Sequence, residues 1–525
     1  LFSAVTNGTA YPQQRDNYLS KLWEDFVLAE KISKEHWIVS VFVLGILVFG
    51  ILSAYSYSLI DWDEGVFALQ GQWFSQLGAS GKPFNFQTPP LYQILVGILF
   101  KIFGANGVIL RYISLFFSAV TIYIVFRLAR LFTDARVALF SVILFVSCEF
   151  FLFFSRSGLS EATFVFFLVC SVFLFFKALE TNKGILYLMS GIVSACACYT
   201  KYSAFPLLIA FFIIGIYNRR KIHKAWFVSS VLLPAVLFLP YVFAYLSLIG
   251  MAEFSARHAS LLSLNHHKFL VYMFLFAPVP TVLMITALCI RSVREKPYVK
   301  YTVIIMAVYF LLLGFYYPYF RLAYPLVPLC ALIAVHALMR LKNKTIYVMV
   351  GAALISLLFA VPTLVYSTHT PEHIGQVARD HIRTMSMKYL ITHVPPNIDF
   401  YMPGTIAVPA DHPWHRLMTR IPAIFARRKI IQSSVNELVQ EDHVLYICAT
   451  HVVDTSSAPF LQYGDVLERI EFKDAPVYYK DLFNPTRNKP QVYEFYLFDL
   501  KKEKHIVDFL WDLGFEKGVT VRVIQ

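Results

Sequence analysis

The sequence has 525 residues, of which 58% are hydrophobic, 17% aromatic and only 15% charged. A soluble domain carries roughly 25% charged residues, so this composition excludes an ordinary soluble protein; most of the length lies in apolar runs that approach or exceed the ~17–20 residues of a bilayer span. The net charge of +13 points to cytoplasmic loops rich in Lys and Arg, with membrane lipids and no nucleic acid as partner.

Residues 1–36 read as a cytoplasmic arm, partly helical from Asn17 to Ser33, with no cleavable signal evident. Long apolar runs follow at 37–60, 107–131, 135–154, 160–177, 184–200, 203–217, 224–249, 268–290, 298–316, 321–339 and 345–366. A further run at 89–104 decides the topology. If it does not span and the N-terminus is inside, the cytoplasmic loops hold the basic clusters: Arg127, Arg130 and Arg136; Lys177 and Lys183; Arg219 to Lys224; Arg291 to Lys300; Arg340 to Lys344. If it spans, every later basic loop faces outward, against the positive-inside rule. The sequence therefore predicts an all-α polytopic membrane bundle of about 11 transmembrane helices over 37–366, with 89–104 as an outer juxtamembrane helix behind the Pro89-Pro90 break. Residues 367–525 turn polar. Strand-like runs occur at Asp399–Met402, His443–Cys448, Val492–Leu497 and Val519–Val523, and helical patterns near 371–393 and 503–514, so an extracytoplasmic α/β domain is expected.

Cysteines give no disulfide framework: all but Cys448 lie in apolar segments. The informative residues are charges at the outer membrane edge, where burial is costly. Asp61-Trp-Asp63-Glu64 opens a helical pattern in the first outer loop, 61–106. Adjacent acids at a helix start serve as N-cap and dipole partners; they equally suit a general base with a neighbour that positions it or binds a metal. Glu161 enters a span on the same side, so Asp63, Glu64 and Glu161 can share one cavity. Bases on that side are few: Lys82, Arg156, Lys201, Arg257 and Arg321. Such a set suits an anionic headgroup on a lipid tail, with Arg or Lys holding phosphate; snorkelling or structural ion pairing is the plainer role for each base. The loop 251–268, with His258, reads as a gate or a solvated loop. Asp411, His412 and His415 have metal-compatible spacing, but Pro413 argues against a regular helix there.

Several segments resemble, in order, the GT-C glycosyltransferases, most closely the lipid A aminoarabinose transferases and protein O-mannosyltransferases. They are Asp63-Glu64-Gly-Val-Phe-Ala-Leu, Gln87-Thr-Pro89-Pro90-Leu-Tyr92, Lys101-Ile-Phe-Gly104, Arg111 to Phe132, Arg156 to Glu161-Ala162, Tyr199-Thr200-Lys201, and Arg321-Leu-Ala-Tyr-Pro325 with its preceding Tyr319. The resemblance implies an inverting transfer of a hexose or pentose from a polyprenyl- or dolichyl-phosphate carrier to a hydroxyl of a protein, lipid or glycan on the outer face. It gives Asp63 the base position and Glu64 and Glu161 the other acidic positions. Arg321, Lys201, Arg257, Arg156 and Lys82 become candidates for the donor phosphate; Tyr92, Gln87, Tyr319 and His258 become candidates for the cavity. Two positions depart: Gln87-Thr88 stand where relatives carry Lys before the Pro pair, and Val66 where lipid A enzymes carry Arg. These departures argue against lipid A as acceptor and against bound zinc. The residues fix no cofactor; a divalent metal is the one the acids would accept.

Other classes compete. A lipid or solute transporter favours broken helices and charges at the bilayer midplane, whereas these acids sit at the edge. A non-catalytic subunit retaining the fold is the third reading, prompted by Gln87-Thr88. A prokaryotic plasma membrane is expected rather than the endoplasmic reticulum.

Overall fold

The computed structural model describes residues 34–54, 62–76, 88–249, 264–316 and 320–369, and the backbone of six strands between 399 and 524. The chain is an integral multi-pass membrane protein, and its described residues up to 369 are mostly helical. Among the described residues four helices are long and apolar enough to cross a bilayer: Gly107–Arg130, Glu161–Thr181, Lys224–Ser247 and Phe320–Leu338. The other apolar helices run 10–17 residues, so the expected count of about 11 rests on short helices as well as long ones.

Local chemistry sets the helix ends. Asn106 is extended and accepts from the Val108 N–H at 3.1 Å, opening Gly107–Arg130; Arg127 and Arg130 in its last turn complement the dipole. Asp134 accepts from the Val137 N–H at 2.9 Å to start Ala135–Val146. Glu161–Thr181 ends on Asn182, which takes a left-handed φ of 54°.

Apolar surface cannot drive helices together in lipid, so small residues and hydroxyls do. Lys224–Ile249 packs on Gly184–Thr200, which packs on Glu161–Thr181, which packs on Gly107–Arg130. At the first crossing a Cβ on Gly191 would lie 2.5 Å from the Ser229 carbonyl oxygen. At the second, the Ser171 and Ser194 hydroxyls meet at 2.5 Å and Ser190 donates to the Ser171 carbonyl at 3.1 Å. Exposed Trp37, Val41, Leu44, Leu232, Val236 and Phe243 make the lipid-facing surface.

Three of the expected apolar runs are not single regular α-helices. The run 135–154 breaks at Ser147-Cys148 into Ala135–Val146 and Glu149–Phe154. The Ser147 carbonyl freed by the break accepts from Ser356 at 3.1 Å, so the break leaves no buried orphan there. The run 268–290 is two helices, His266–Phe276 and Pro278–Cys289, bent by 111°. Ala277 precedes a proline and leaves the helical region, with φ −142° and ψ 54°. The run 321–339 begins as a 3-10 segment, Phe320–Leu326, before Val327–Leu338.

Leu91–Phe103 has 13 residues, a rise of about 20 Å against a hydrocarbon core of about 30 Å, and is too short to span by itself. It buries Tyr92, Val96 and Phe100 against Trp62–Ser75 and leaves Ile98, Ile102 and Phe103 exposed. The two helices cross through glycines: a Cβ on Gly97 would lie 2.9 Å from the Gly71 carbonyl oxygen.

Polar contacts define two ends of the bundle. At one, the Asn182 side chain accepts from the His223 N–H at 2.9 Å, Arg340 donates to Ser292 at 2.6 Å, and Tyr301 donates to Asn218 at 2.7 Å. These residues lie in or directly beside the basic loops. The acid-bearing loops meet at another place, described below.

Farther along the chain the strands β1 Asp399–Tyr401, β2 Lys429–Ser433, β3 Val444–Val452, β4 Glu468–Lys473, β5 Gln491–Asp499 and β6 Thr520–Ile524 form one sheet, ordered β2-β6-β1-β3-β5-β4. Only β1 and β3 pair in parallel. β1, β3, β5 and β6 overlap the four strand-like runs. The helical patterns at 371–393 and 503–514, the arm from Asn17 to Ser33, and Asp411, His412 and His415 lie outside the described residues.

Candidate active site

Asp63 and Glu64 both sit in the first turn of Trp62–Ser75. Consecutive helical residues point about 100° apart, and here that separates two environments. The Glu64 side chain has 0% exposure; its Oε1 accepts from the Gly158 N–H and its Oε2 lies 3.4 Å from Arg111 Nη2. The Asp63 side chain is 33% exposed and its Oδ2 lies 2.6 Å from Arg321 Nη1.

Arg321 reaches further, to Glu161 Oε1 at 3.6 Å, and the same oxygen pairs with Lys201 Nζ. Asp63, Arg321, Glu161 and Lys201 thus alternate in charge along one contiguous cluster. Each is set by its backbone. Glu161 is the first residue of Glu161–Thr181. Lys201 is the extended link between Gly184–Thr200 and the 3-10 turn Tyr202–Ala204. Arg321 lies in the Phe320–Leu326 segment, whose rings are anchored: Phe320 stacks on Phe276 at 5.1 Å and Tyr324 on Phe154 at 4.8 Å. Burial pulls the Lys201 ammonium below the ordinary lysine value, with Glu161 opposing the shift. Glu161 Oε2 is buried and has no hydrogen-bond partner among the described residues. An acceptor in that state is expensive to leave unmatched.

The other expected site residues divide. Arg156 donates from Nε to the Leu152 carbonyl at 2.8 Å and its guanidinium lies over the Phe49 ring at 5.9 Å, a place in helix packing. Tyr92 is fully buried, packs edge-on to Phe67 at 5.2 Å, and donates to the Leu110 carbonyl at 3.2 Å. The amphipathic phase of its short helix turns it inward, and its ring packs in the core. Lys82, Gln87, Arg257, His258 and Tyr319 lie outside the described residues. At the altered Pro-pair position, the Thr88 hydroxyl lies 3.3 Å from the Gln70 side-chain oxygen and 2.8 Å from the Gln93 amide, a neutral network where a lysine was expected.

Two residues of the site were not singled out as site residues from sequence. Arg111 figured only as a motif marker, yet it is the buried partner of Glu64. Gly158 figured only as a loop residue; a Cβ there would lie 2.7 Å from Leu110 Cβ and 3.2 Å from Glu64 Oε1. An arginine inside an apolar run was the signal available for the first.

No three His, Cys, Asp or Glu side chains come together among the described residues. Asp63 and Glu161 face a guanidinium and an ammonium instead of further acids, a donor set that does not suit a divalent cation.

The family model for dolichyl-phosphate-mannose-protein mannosyltransferase matches residues 87–245. No curated protein sequence matches the chain significantly. Among solved structures, ArnT from Cupriavidus metallidurans bound to undecaprenyl phosphate superposes with a TM-score of 0.55 at 14% identity, covering 88% of this chain and 98% of that one. The apo state of the same protein gives 0.51 at 14% identity over the same shares. This chain has the fold of the GT-C membrane glycosyltransferases and, within them, resembles the aminoarabinose transferase and protein O-mannosyltransferase branch.

Proposed function

We propose that this chain is an inverting glycosyltransferase that moves a sugar from a polyprenyl- or dolichyl-phosphate carrier to an acceptor hydroxyl at the membrane–water interface. The observation that carries the reading is the cluster itself: one partly open carboxylate, Asp63, beside two cations held against a second, buried carboxylate.

Asp63 Oδ2 takes the proton of the acceptor hydroxyl as its oxygen bonds the anomeric carbon. The bond from that carbon to the phosphate oxygen breaks on the opposite face, and the electron pair leaves with the lipid phosphate. Arg321 and Lys201 stabilise the growing negative charge on that phosphate. Glu161 is buried and engaged by Lys201, so a single displacement with inversion is favoured over a second carboxylate acting as nucleophile. Its unmatched Oε2 is suited to accept from a hydroxyl of the donor sugar. The acceptor is a protein, lipid or glycan hydroxyl, and no step needs a metal.

The basic loops favour an outer location for the cluster, in a plasma membrane, with residues 367–525 as an extracytoplasmic domain on the same side. A cysteine at Ala105, between the juxtamembrane helix and Gly107–Arg130, should label only from the outside of right-side-out vesicles. Labelling from the cytoplasm refutes that topology. The reaction is tested with purified protein in liposomes, a panel of polyprenyl-phosphate sugars and mixed acceptors. Release of polyprenyl phosphate with an inverted glycoside is expected; release of free sugar alone, or no turnover with any donor, contradicts the reading.

A further inference from the structure

We infer that Glu64 and Arg111 form a positioning clamp that fixes where Asp63 and Glu161 stand without touching substrate. The inference rests on the transfer reading above and deepens it. It separates two acids that sequence places side by side.

Glu64 has no exposed side-chain surface and Arg111 has 2%. Neither can meet a substrate without the loop over them opening. The two Glu64 oxygens go to two different elements: Oε1 to the Gly158 N–H in the loop 155–160, Oε2 to Arg111 in Gly107–Arg130. The same loop is held again one residue later, where the Ser114 hydroxyl donates to the Leu159 carbonyl at 3.0 Å. The juxtamembrane helix joins through Tyr92, which donates to the Leu110 carbonyl beside Arg111 at 3.2 Å.

Three elements therefore converge on one buried carboxylate. One carries Asp63 at the preceding position, and another runs into Glu161 three residues after Gly158. Gly158 has no room for a Cβ, with Leu110 Cβ 2.7 Å from where it would stand. The loop cannot settle elsewhere without moving Glu161, and the helix cannot rotate without moving Asp63. Keeping a desolvated ion pair for register rather than for stability is an attested use of buried charge.

The test compares Glu64→Gln, Arg111→Met, the double variant and Gly158→Ala with wild type, all as full-length protein in liposomes. kcat, both KM values and thermal unfolding are measured. Glu64→Gln keeps an oxygen for the Gly158 N–H but loses the charge on Arg111. It should lower kcat by roughly 10–100-fold, the scale of an ångström of misplacement, with donor and acceptor KM within about threefold. The double variant should lose no more kcat than the worse single variant, since the pair acts as one unit, and the two single changes should be non-additive in unfolding temperature. Gly158→Ala, which leaves both charges in place, should also lower kcat at unchanged KM. A large rise in either KM for Glu64→Gln at preserved kcat, or a double variant whose kcat loss is the product of the two single losses, overturns the clamp and puts Glu64 against substrate. Wild-type kinetics in Gly158→Ala overturn it as well, and this arm stands if Arg111→Met fails to fold. Wild-type protein inert toward every donor overturns the transfer reading instead; the unfolding cycle then decides the pairing, and additive shifts overturn it.

Discussion

Two ion-pair clusters lie a single residue apart in sequence and behave as opposites. Around Glu64 the charges are sealed, and the contacts tie a helix start to a loop backbone. Around Asp63 the charges are partly open, and one guanidinium is shared between two acids. A sealed pair resists change, because removing one partner strands a buried charge at a cost of about 3–5 kcal/mol. An open pair can exchange partners. In the proposed transfer an arriving phosphate would compete for Arg321, and the carboxylate it leaves would become available for a hydroxyl. Adjacent residues of the same charge thus meet different environments because a helix start turns them to different sides.

Asp63→Asn is the sharpest way to break this comparison. It should lower kcat by roughly 10²–10⁴-fold, the usual worth of a general base, while the unfolding temperature barely moves. Normal turnover would remove Asp63 as the base and dissolve the contrast with Glu64. Arg321→Ala comes next. It should raise the donor KM by roughly tenfold or more, since a charge-assisted contact to phosphate is among the stronger single interactions; isothermal titration with the lipid phosphate reads this directly, and unchanged donor affinity would leave Lys201 as the principal phosphate contact. Tyr92→Phe should have the smallest effect. The ring stays packed and one buried hydrogen bond is lost, worth about 1 kcal/mol of stability, with transfer within about twofold of wild type. A large rise in KM would return Tyr92 to the cavity wall.

Counting charge loop by loop puts Asp63, Glu64 and Glu161 on one side with Lys82, Arg156, Lys201, Arg257 and Arg321, but does not choose among them. The ion pairs join the loops that the count had put on one side. The inward turn of Glu64 and Tyr92 was not legible, since it depends on helix phase relative to neighbours not yet placed. Hydropathy was equally blind to the breaks at Cys148 and Ala277. Both lie in unbroken apolar runs, and what permits the first is a hydroxyl more than two hundred positions away, on Ser356. Arg111 carried a visible signal, a charge inside an apolar run, but its partner could be named only once Glu64 was seen to be buried.

A structure of the protein with a polyprenyl phosphate bound tests the central claim most directly. The account predicts the phosphate between Arg321 and Lys201, with Asp63 released from Arg321 and the Glu64–Arg111 pair unmoved. A phosphate seated away from both cations, or one contacting Arg111 or Glu64, would contradict it.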